Sequence, residues 1–412
     1  MTAAAAPLRL PAYAVFAGLL SAAGLPLYIH APKFYVDEYG VSLAALGSIL
    51  FALRLLDVIQ DPLFGRLSEA IRGKRALAVV LGAFVMAASM LGLFAVAPPI
   101  APVWWFALML TGVFSGFSFL TINFYAQGVV KAGQLQGKGH LQLARWRETG
   151  ALIGVCIAAI APVMLGAAMD RPFAGFAVGF AALALIALVS MRSEWSTTGV
   201  PDGVGLRTIL RDRLARRLLI IALVNAAPVA VSSTLFLFFV DSRLQAPDAQ
   251  GPLLLLFFLA AAIAAPIWGH LAERYGVKPV LIAAMVLAIL SFGYAVFLGP
   301  GDWIAFAVIC LFSGFALGAD LTLLPAVFAA RMSVISPSAA EGFGLWAFVS
   351  KFTLAFAAVT LLPLLQWAGF SSGAASNPQS ALLLLSVLYA LVPCLLKVIA
   401  IVLLAATDLK DI

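Results

Sequence analysis

The chain has 412 residues, of which 64% are hydrophobic and only 10% charged, with a formal net charge of +7. A soluble globule of that length needs more charge to cover its surface, so the composition excludes the soluble classes and indicates a polytopic membrane protein. The three cysteines (Cys156, Cys310 and Cys394) stand singly in apolar runs, which leaves no disulfide framework and no cysteine-based metal spacing.

Apolar runs long enough to span a bilayer recur along the whole chain, at about 11–34, 41–65, 76–98, 101–128, 147–168, 173–191, 218–240, 251–272, 279–299, 302–330, 342–368 and 380–407. The first follows a single arginine and imitates a secretory signal, but its length and the eleven runs after it make it a first helix. The expected fold is all-α with twelve transmembrane helices. It comprises an N-terminal bundle over 1–191, a cytoplasmic central loop over 192–217 and a C-terminal bundle over 218–412.

The second run carries RLLDVIQDP, residues 54–62, with three charges inside an apolar segment. Arg54, Asp57 and Asp61 follow i, i+3, i+7 spacing, which gathers them on one helix face. Each costs about 2.5–3.5 kcal/mol at a helix centre, so they belong inside a bundle, paired or serving an ion. Helix rise puts Asp57 at about 12 Å depth, Lys351 of the eleventh run at about 13–14 Å and Asp320 of the tenth at about 15 Å. One membrane slab therefore holds all of these charges. Two carboxylates one turn apart suit Na⁺ or, with a raised pKa, a proton. A buried network of Arg54–Asp57 with Lys351 on Asp320 or Asp61, serving only to fix helix packing, is the competing account.

DPLFGRLSE at 61–69 returns as APIWGHLAE at 265–273, an internal repeat that divides the spans six and six. Each copy runs on into a basic turn. The expected gating residues are Gly65, Arg66, Glu69 and Arg75 in the first copy, and Gly269, Glu273, Arg274, Gly276 and Lys278 in the second. At the positions of Arg54, Asp57 and Asp61 the second half has Phe258, Ala261 and Ala265, so a spanning helix at this place does not require charge. With the N-terminus cytoplasmic, the inside tally of basic residues includes Arg274, Lys278, Arg331 and Lys397, and only Lys33, Arg171 and Arg243 fall outside. The positive charge is therefore topology, not a nucleic-acid footprint. Both ends are expected in the cytoplasm of a cell bounded by a plasma membrane, the inner membrane of a bacterium. GVFSGF at 112–117 and GFALG at 314–318 predict close helix approach.

FYVDEYGVSLAALGSILFALRLLDVIQDPLFGRL resembles the glycoside–pentoside–hexuronide cation symporters, the melibiose-carrier group of the major facilitator superfamily. Asp37, Gly40 and Ser42 answer that family's Y-x-T-D-x-x-G-[LIV]-S, and Arg54, Asp57, Asp61, Pro62 and Gly65 its R-x-W-D-x-[IV]-[NT]-D-P-x-[MF]-G. TINFYA at 121–126, ARWRETGALIG at 144–154, the Asn225 segment and EGFGLWAFVSKFTLA at 341–355 are similar to its fourth, fifth, seventh and eleventh helices. The resemblance implies a major facilitator fold, six plus six helices, working by alternating access. It implies that Asp57 and Asp61, helped by Thr121, bind the coupling Na⁺, Li⁺ or H⁺, with Lys351 near both cation and substrate.

By the same resemblance Arg147 holds sugar hydroxyls. Asn123, Tyr125, Asn225, Trp346 and Lys351 complete the expected substrate contacts. The first helix lacks the family's sugar-binding carboxylate, Leu56 stands in place of a tryptophan, and Ala330–Arg331 stand where M-x-A-D-x-x-D is common. A glycoside or sugar acid is the expected solute, and the basic residues favour an acid, another anion or an amphiphile over a neutral disaccharide. A carrier of lipid-like or drug-like solutes is the alternative, followed by a non-transporting sensor. A membrane enzyme has little to work with, since His30, His140 and His270 are spread one per region. No cofactor is expected beyond the coupling ion. The expected partners are a small-molecule substrate and the lipid bilayer, without nucleic acid, and the expected state is a monomer.

Overall fold

The computed structural model describes residues 9–133, 139–195, 204–336, 338–370 and 377–409. Its helices are α1 (Leu10–Ala22), α2 (Leu25–Tyr39), α3 (Leu43–Ala70), α4 (Arg75–Phe94), α5 (Pro102–Ala132), α6 (Gly139–Gly166) and α7 (Pro172–Met191). The short α8 (Leu206–Arg211) follows, and then α9 (Arg213–Phe238), α10 (Gln250–Tyr275), α11 (Val277–Gly293), α12 (Trp303–Ile335), α13 (Ala340–Trp367) and α14 (Gln379–Ala405). Among the described residues, ten helices are long and apolar enough to cross a membrane. The charged α3 and the divided first span, α1 with α2, bring the crossings to the expected twelve.

Two expectations need correction. The first span is not one helix. α1 closes with i→i+3 bonds from the Ala23 and Gly24 amides to the Leu20 and Ser21 carbonyls, and the chain restarts at Leu25. The break has a local cause: Gly24 takes φ −88°, ψ −121°, outside the helical region, and Pro26 falls in the first turn of α2, where no amide donor is needed. The stretch 192–217 is also not simply a loop. Glu194 and Trp195 are buried, with the Trp195 ring edge-on to Phe16 at 5.3 Å, and α8 occupies part of the remainder. Several helices outrun their apolar stretches, α3 reaching Ala70 and α12 reaching Ile335. Charged residues end the hydrophobic signal without ending the helix, because their backbone hydrogen bonds continue into the polar interface.

The chain divides into two compact units, residues 1–209 with 329–347, and 210–328 with 348–412. In the first, α1 and α6 cross so closely that glycine is required. A Cβ on Gly150 would lie 2.5 Å from the Ala14 carbonyl carbon and Cα, and one on Gly154 2.6 Å from the Gly18 Cα. The glycines of GVFSGF close α5 on α4, with a Cβ on Gly116 falling 2.9 Å from Met86 Cβ. In the second unit Gly314 and Gly318 do the same between α12 and α10, at 3.0 Å from the Phe257 carbonyl carbon and 2.8 Å from the Ala261 carbonyl oxygen. That unit's core is aromatic, with Phe239 stacked on Tyr389 at 4.3 Å and Phe306 against both.

Candidate functional site

α3 is an inside-out amphipathic helix. Its buried face carries Asp57 (2% exposed) and Asp61 (0%), with Gln60, Gly65 and Ser68 buried along the same side. Its outer face shows Ile59 (64% exposed) and Leu63 (55%). Polar residues inward and leucines outward is the pattern a bilayer selects, since ionisable groups in the hydrocarbon must face protein.

A polar ladder holds the inward face. Gln60 donates its amide N–H to Asp57 Oδ1 at 2.8 Å and accepts from the Ser115 hydroxyl at 3.0 Å. Arg54 Nη1 lies 3.8 Å from Asp57 Oδ2, an ion pair rather than a tight hydrogen bond. Lower on α3, Ser68 donates to Asn123 Oδ1 at 2.6 Å, while Asn123 Nδ2 returns to the Phe119 carbonyl at 2.9 Å. Beyond the turn, Arg75 Nη1 donates to Gln127 Oε1 at 3.1 Å, and Gln127 Nε2 donates to the Glu194 carbonyl. Ser115, Asn123 and Gln127 lie at multiples of four residues, so one edge of α5 meets α3 and the turn after it. Sequence reasoning missed Gln60, Ser68, Ser115 and Gln127. The recurring polar positions of α5 are the signal that could have found them. Thr121, on another side of α5, keeps a buried Oγ1 with no hydrogen-bond partner among the described residues.

The expected substrate residues are distributed among different clusters. Arg147, 3% exposed, donates through Nε to Glu148 Oε1 at 2.7 Å, and its guanidinium covers the Tyr125 ring at 3.7 Å. Tyr125 donates its hydroxyl to the same carboxylate oxygen at 3.0 Å and packs on Phe343 at 5.0 Å. Glu148 and Phe343 are additions to the expected set. Asn123 is different: both ends of its amide are engaged within the protein, which makes it a brace between α3 and α5. Trp346 and Lys351 are each half-buried on α13, Trp346 in the first unit and Lys351 in the second.

Asp320 does not have the expected partner. It accepts from the Lys397 ammonium of α14, which also donates to Asn225 Oδ1 at 2.6 Å, so Asn225 joins a charge cluster. Lys397 is only 4% exposed. It is therefore an interior cation rather than one of the basic residues marking the cytoplasmic side.

The two repeat turns have clear local geometry. Gly65 touches α13 backbone: a Cβ there would lie 3.1 Å from the Ala340 oxygen and 3.2 Å from the Glu341 Cα. Glu69 pairs with Arg72 at 3.1 Å, and Arg66 is exposed. In the second copy Gly276 adopts φ +88°, the left-handed region that favours glycine, and joins α10 to α11 directly. Lys278 Nζ then donates to the Ala405 carbonyl at 2.7 Å and the Thr407 carbonyl at 2.8 Å, holding the negative end of α14. Arg217 Nε reaches the Thr407 hydroxyl at 2.7 Å. The buried Gly269 lies on α10, followed by the half-buried Glu273, and the Arg274 guanidinium lies 5.3 Å from the Tyr275 ring.

A family model described as MFS/sugar transport protein matches residues 11–411. No curated protein matches the chain. Solved structures similar in fold include the human organic anion transporter MFSD10, at 19% identity and TM-score 0.64 over 95% of this chain and 100% of that one. A bacterial homologue of the iron transporter ferroportin, in an outward-facing state, aligns at 17% identity and TM-score 0.67, over 97% and 100%. The E. coli fucose:proton symporter aligns at 14% identity and TM-score 0.63, over 95% and 98%.

Proposed function

On the premise that this chain belongs to the MFS/sugar transport protein family, the melibiose-carrier-like group, and is a multi-pass transporter rather than an enzyme, we propose that it is a cation-coupled symporter of a sugar-type solute. The coupling ion is Na⁺ or H⁺, and the solute is a glycoside or sugar acid. The observation that carries the reading is the pair Asp57 and Asp61: two carboxylates one turn apart, both buried on the inward face of α3, at positions where the repeat has apolar residues. Gln60, held by Ser115, orients one of them. Cation binding at the pair, assisted by Thr121, neutralises charge and releases the alternating-access movement that carries solute. Arg147 over Tyr125, with Trp346 of the same unit, supplies polar and aromatic groups suited to a sugar. The protein works as a monomer in a bacterial inner membrane with both ends cytoplasmic.

A carrier of lipid-like or drug-like solutes is the second reading. It is favoured by a cavity of about 520 Å³ beside α1, α6 and α7 whose lining, from Ala14 to Leu183, is entirely apolar or glycine.

Thermal unfolding of the purified protein in Na⁺, Li⁺ and across pH, beside Asp57→Asn and Asp61→Asn, tests the coupling. A cation at one hundred times its dissociation constant stabilises by about 2.7 kcal/mol. Stabilisation of the wild type and of neither variant is expected. Equal responses from all three proteins would sink the cation site, and stabilisation by amphiphiles but by no sugar would shift the assignment to the second reading.

A further inference from the structure

The second unit holds a buried ion cluster that the coupling mechanism does not use. Lys397 of α14 (4% exposed), Asp320 of α12 (9%) and Asn225 of α9 (4%) meet beside a cavity of about 40 Å³. Lys397 donates to Asp320 Oδ2 and Asn225 Oδ1, using two of its three N–H donors. Asp320 Oδ1 is buried and has no hydrogen-bond partner among the described residues. Around the cavity α9 presents Pro228, Val229 and Ser232, α10 presents Phe257, and α11 presents Ala288, Ile289 and Phe292. The Ser232 and Ser313 hydroxyls already donate to backbone carbonyls, so they can offer the cavity only acceptor lone pairs. Asp320 and Lys397 are the charged groups of this lining, and Cys394 is its remaining titratable group.

A buried pair whose carboxylate keeps one oxygen unsatisfied is a poor structural staple, because desolvation of both ions consumes most of their attraction. It is well suited to exchange partners. The cavity has room for a few waters, each needing about 10–15 Å³, and these can bring a proton to the open oxygen. We propose that Asp320, Lys397 and Asn225 form a proton-linked binding site for the carboxylate of an organic anion. The steps balance in charge. A hydronium proton forms an O–H bond on Asp320 Oδ1, the Lys397–Asp320 attraction weakens, and the cluster passes from neutral to a net positive charge. In apolar surroundings that charge draws an anion onto Lys397, so proton and anion enter and leave together. The inference names a substrate class for the transport reading and rests on it, but it shares no residue with Asp57 and Asp61, so either can fail alone.

The test follows thermal midpoints of the purified protein with potassium acetate, lactate and glucuronate, against potassium chloride and galactose, at acid and neutral pH. At least one carboxylate is expected to stabilise the wild type more at acid pH, with galactose inert at this site. Asp320→Asn imitates the protonated acid, so it should bind the anion at neutral pH and lose the pH dependence. It should also lose the infrared carbonyl band of a protonated carboxylic acid that the anion-loaded wild type shows. The double variant Asp320→Asn/Lys397→Gln leaves no buried charge unpaired, so it tests the site without a folding penalty. Anion binding should weaken about tenfold or more in it, the loss of one charge-assisted contact, while any response to Na⁺ or Li⁺ remains. Three results would overturn the site: no carboxylate shifting the wild type at either pH, a double variant binding anions as the wild type does, or Asp320→Asn keeping the wild-type pH dependence. Equal responses of the wild type, Asp57→Asn and Asp61→Asn to Na⁺, Li⁺ and pH would count against that pair and leave this site standing.

Discussion

Gly150→Ala adds one methyl group where α6 has no room for it. The new Cβ would lie 2.5 Å from two carbons of the Ala14 backbone, and neither can rotate away as a side chain could. Carbon–carbon contacts settle at about 3.5–4.0 Å, so α1 must retreat by about 1 Å along this crossing. A gap of that size forfeits a quarter to a half of each contact's well, and overpacking against backbone falls at the upper end of the usual range, about 3 kcal/mol. Alanine returns about 1 kcal/mol through helix propensity. The net loss is then about 2 kcal/mol, within the usual range for an overpacked core. Gly179→Ala on α7 is the control, since its Cβ meets nothing within 4 Å and it keeps the propensity gain. Unfolding both variants in mixed micelles with rising denaturing detergent should separate them by about 3 kcal/mol. Gly150 is also one turn from Arg147, so solute binding should fall with stability. If Gly150→Ala unfolds with or after Gly179→Ala, the close α1–α6 crossing is wrong.

Other perturbations test the polar braces. Lys278→Gln removes the ammonium from the Ala405 and Thr407 carbonyls and should cost about 1–3 kcal/mol in the same unfolding assay. Arg274→Gln, an exposed neighbour, should stay within about 0.5 kcal/mol of wild type. Gln127→Leu strands the Arg75 guanidinium and the Glu194 carbonyl together, so a loss of about 2–3 kcal/mol is expected, against about 1 kcal/mol for Ser68→Ala. Equal losses for those two would show that the α5 edge is not an energetic unit.

The spans were legible because composition alone separates oil from water over twenty residues, and the GVFSGF and GFALG contacts because glycine spacing reports helix approach directly. The inward direction of Asp57 and Asp61 was legible too, from i, i+3, i+7 spacing. The break at Gly24 was not, since hydropathy runs straight through a backbone turn made of apolar residues. Lys397 escapes a sequence reading for a different reason. It lies as far before residue 407, the end of its apolar run, as Asp320 lies before 330, so depth alone would have paired them. Its basic character, which places it with the charges expected on the inner side, conceals that. Resemblance alone points Asn123 toward substrate, whereas its environment, with Ser68 opposite on α3, is a three-dimensional fact that no spacing along one helix encodes.

The first compact unit takes in residues 329–347 from late in the chain. Ribosomes deliver residues in order, at about 5–20 per second, and domains usually close as they emerge. Here the unit that begins first has to wait: its own helices are made by residue 191, yet the piece that packs against Gly65 and Tyr125 arrives only after most of the second unit's helices have entered the membrane. During that interval the Gly65 end of α3 and the Tyr125 ring lack their native cover. An N-terminal half expressed alone would be held in the same unfinished state, ready to accept residues 329–347 supplied on a separate polypeptide.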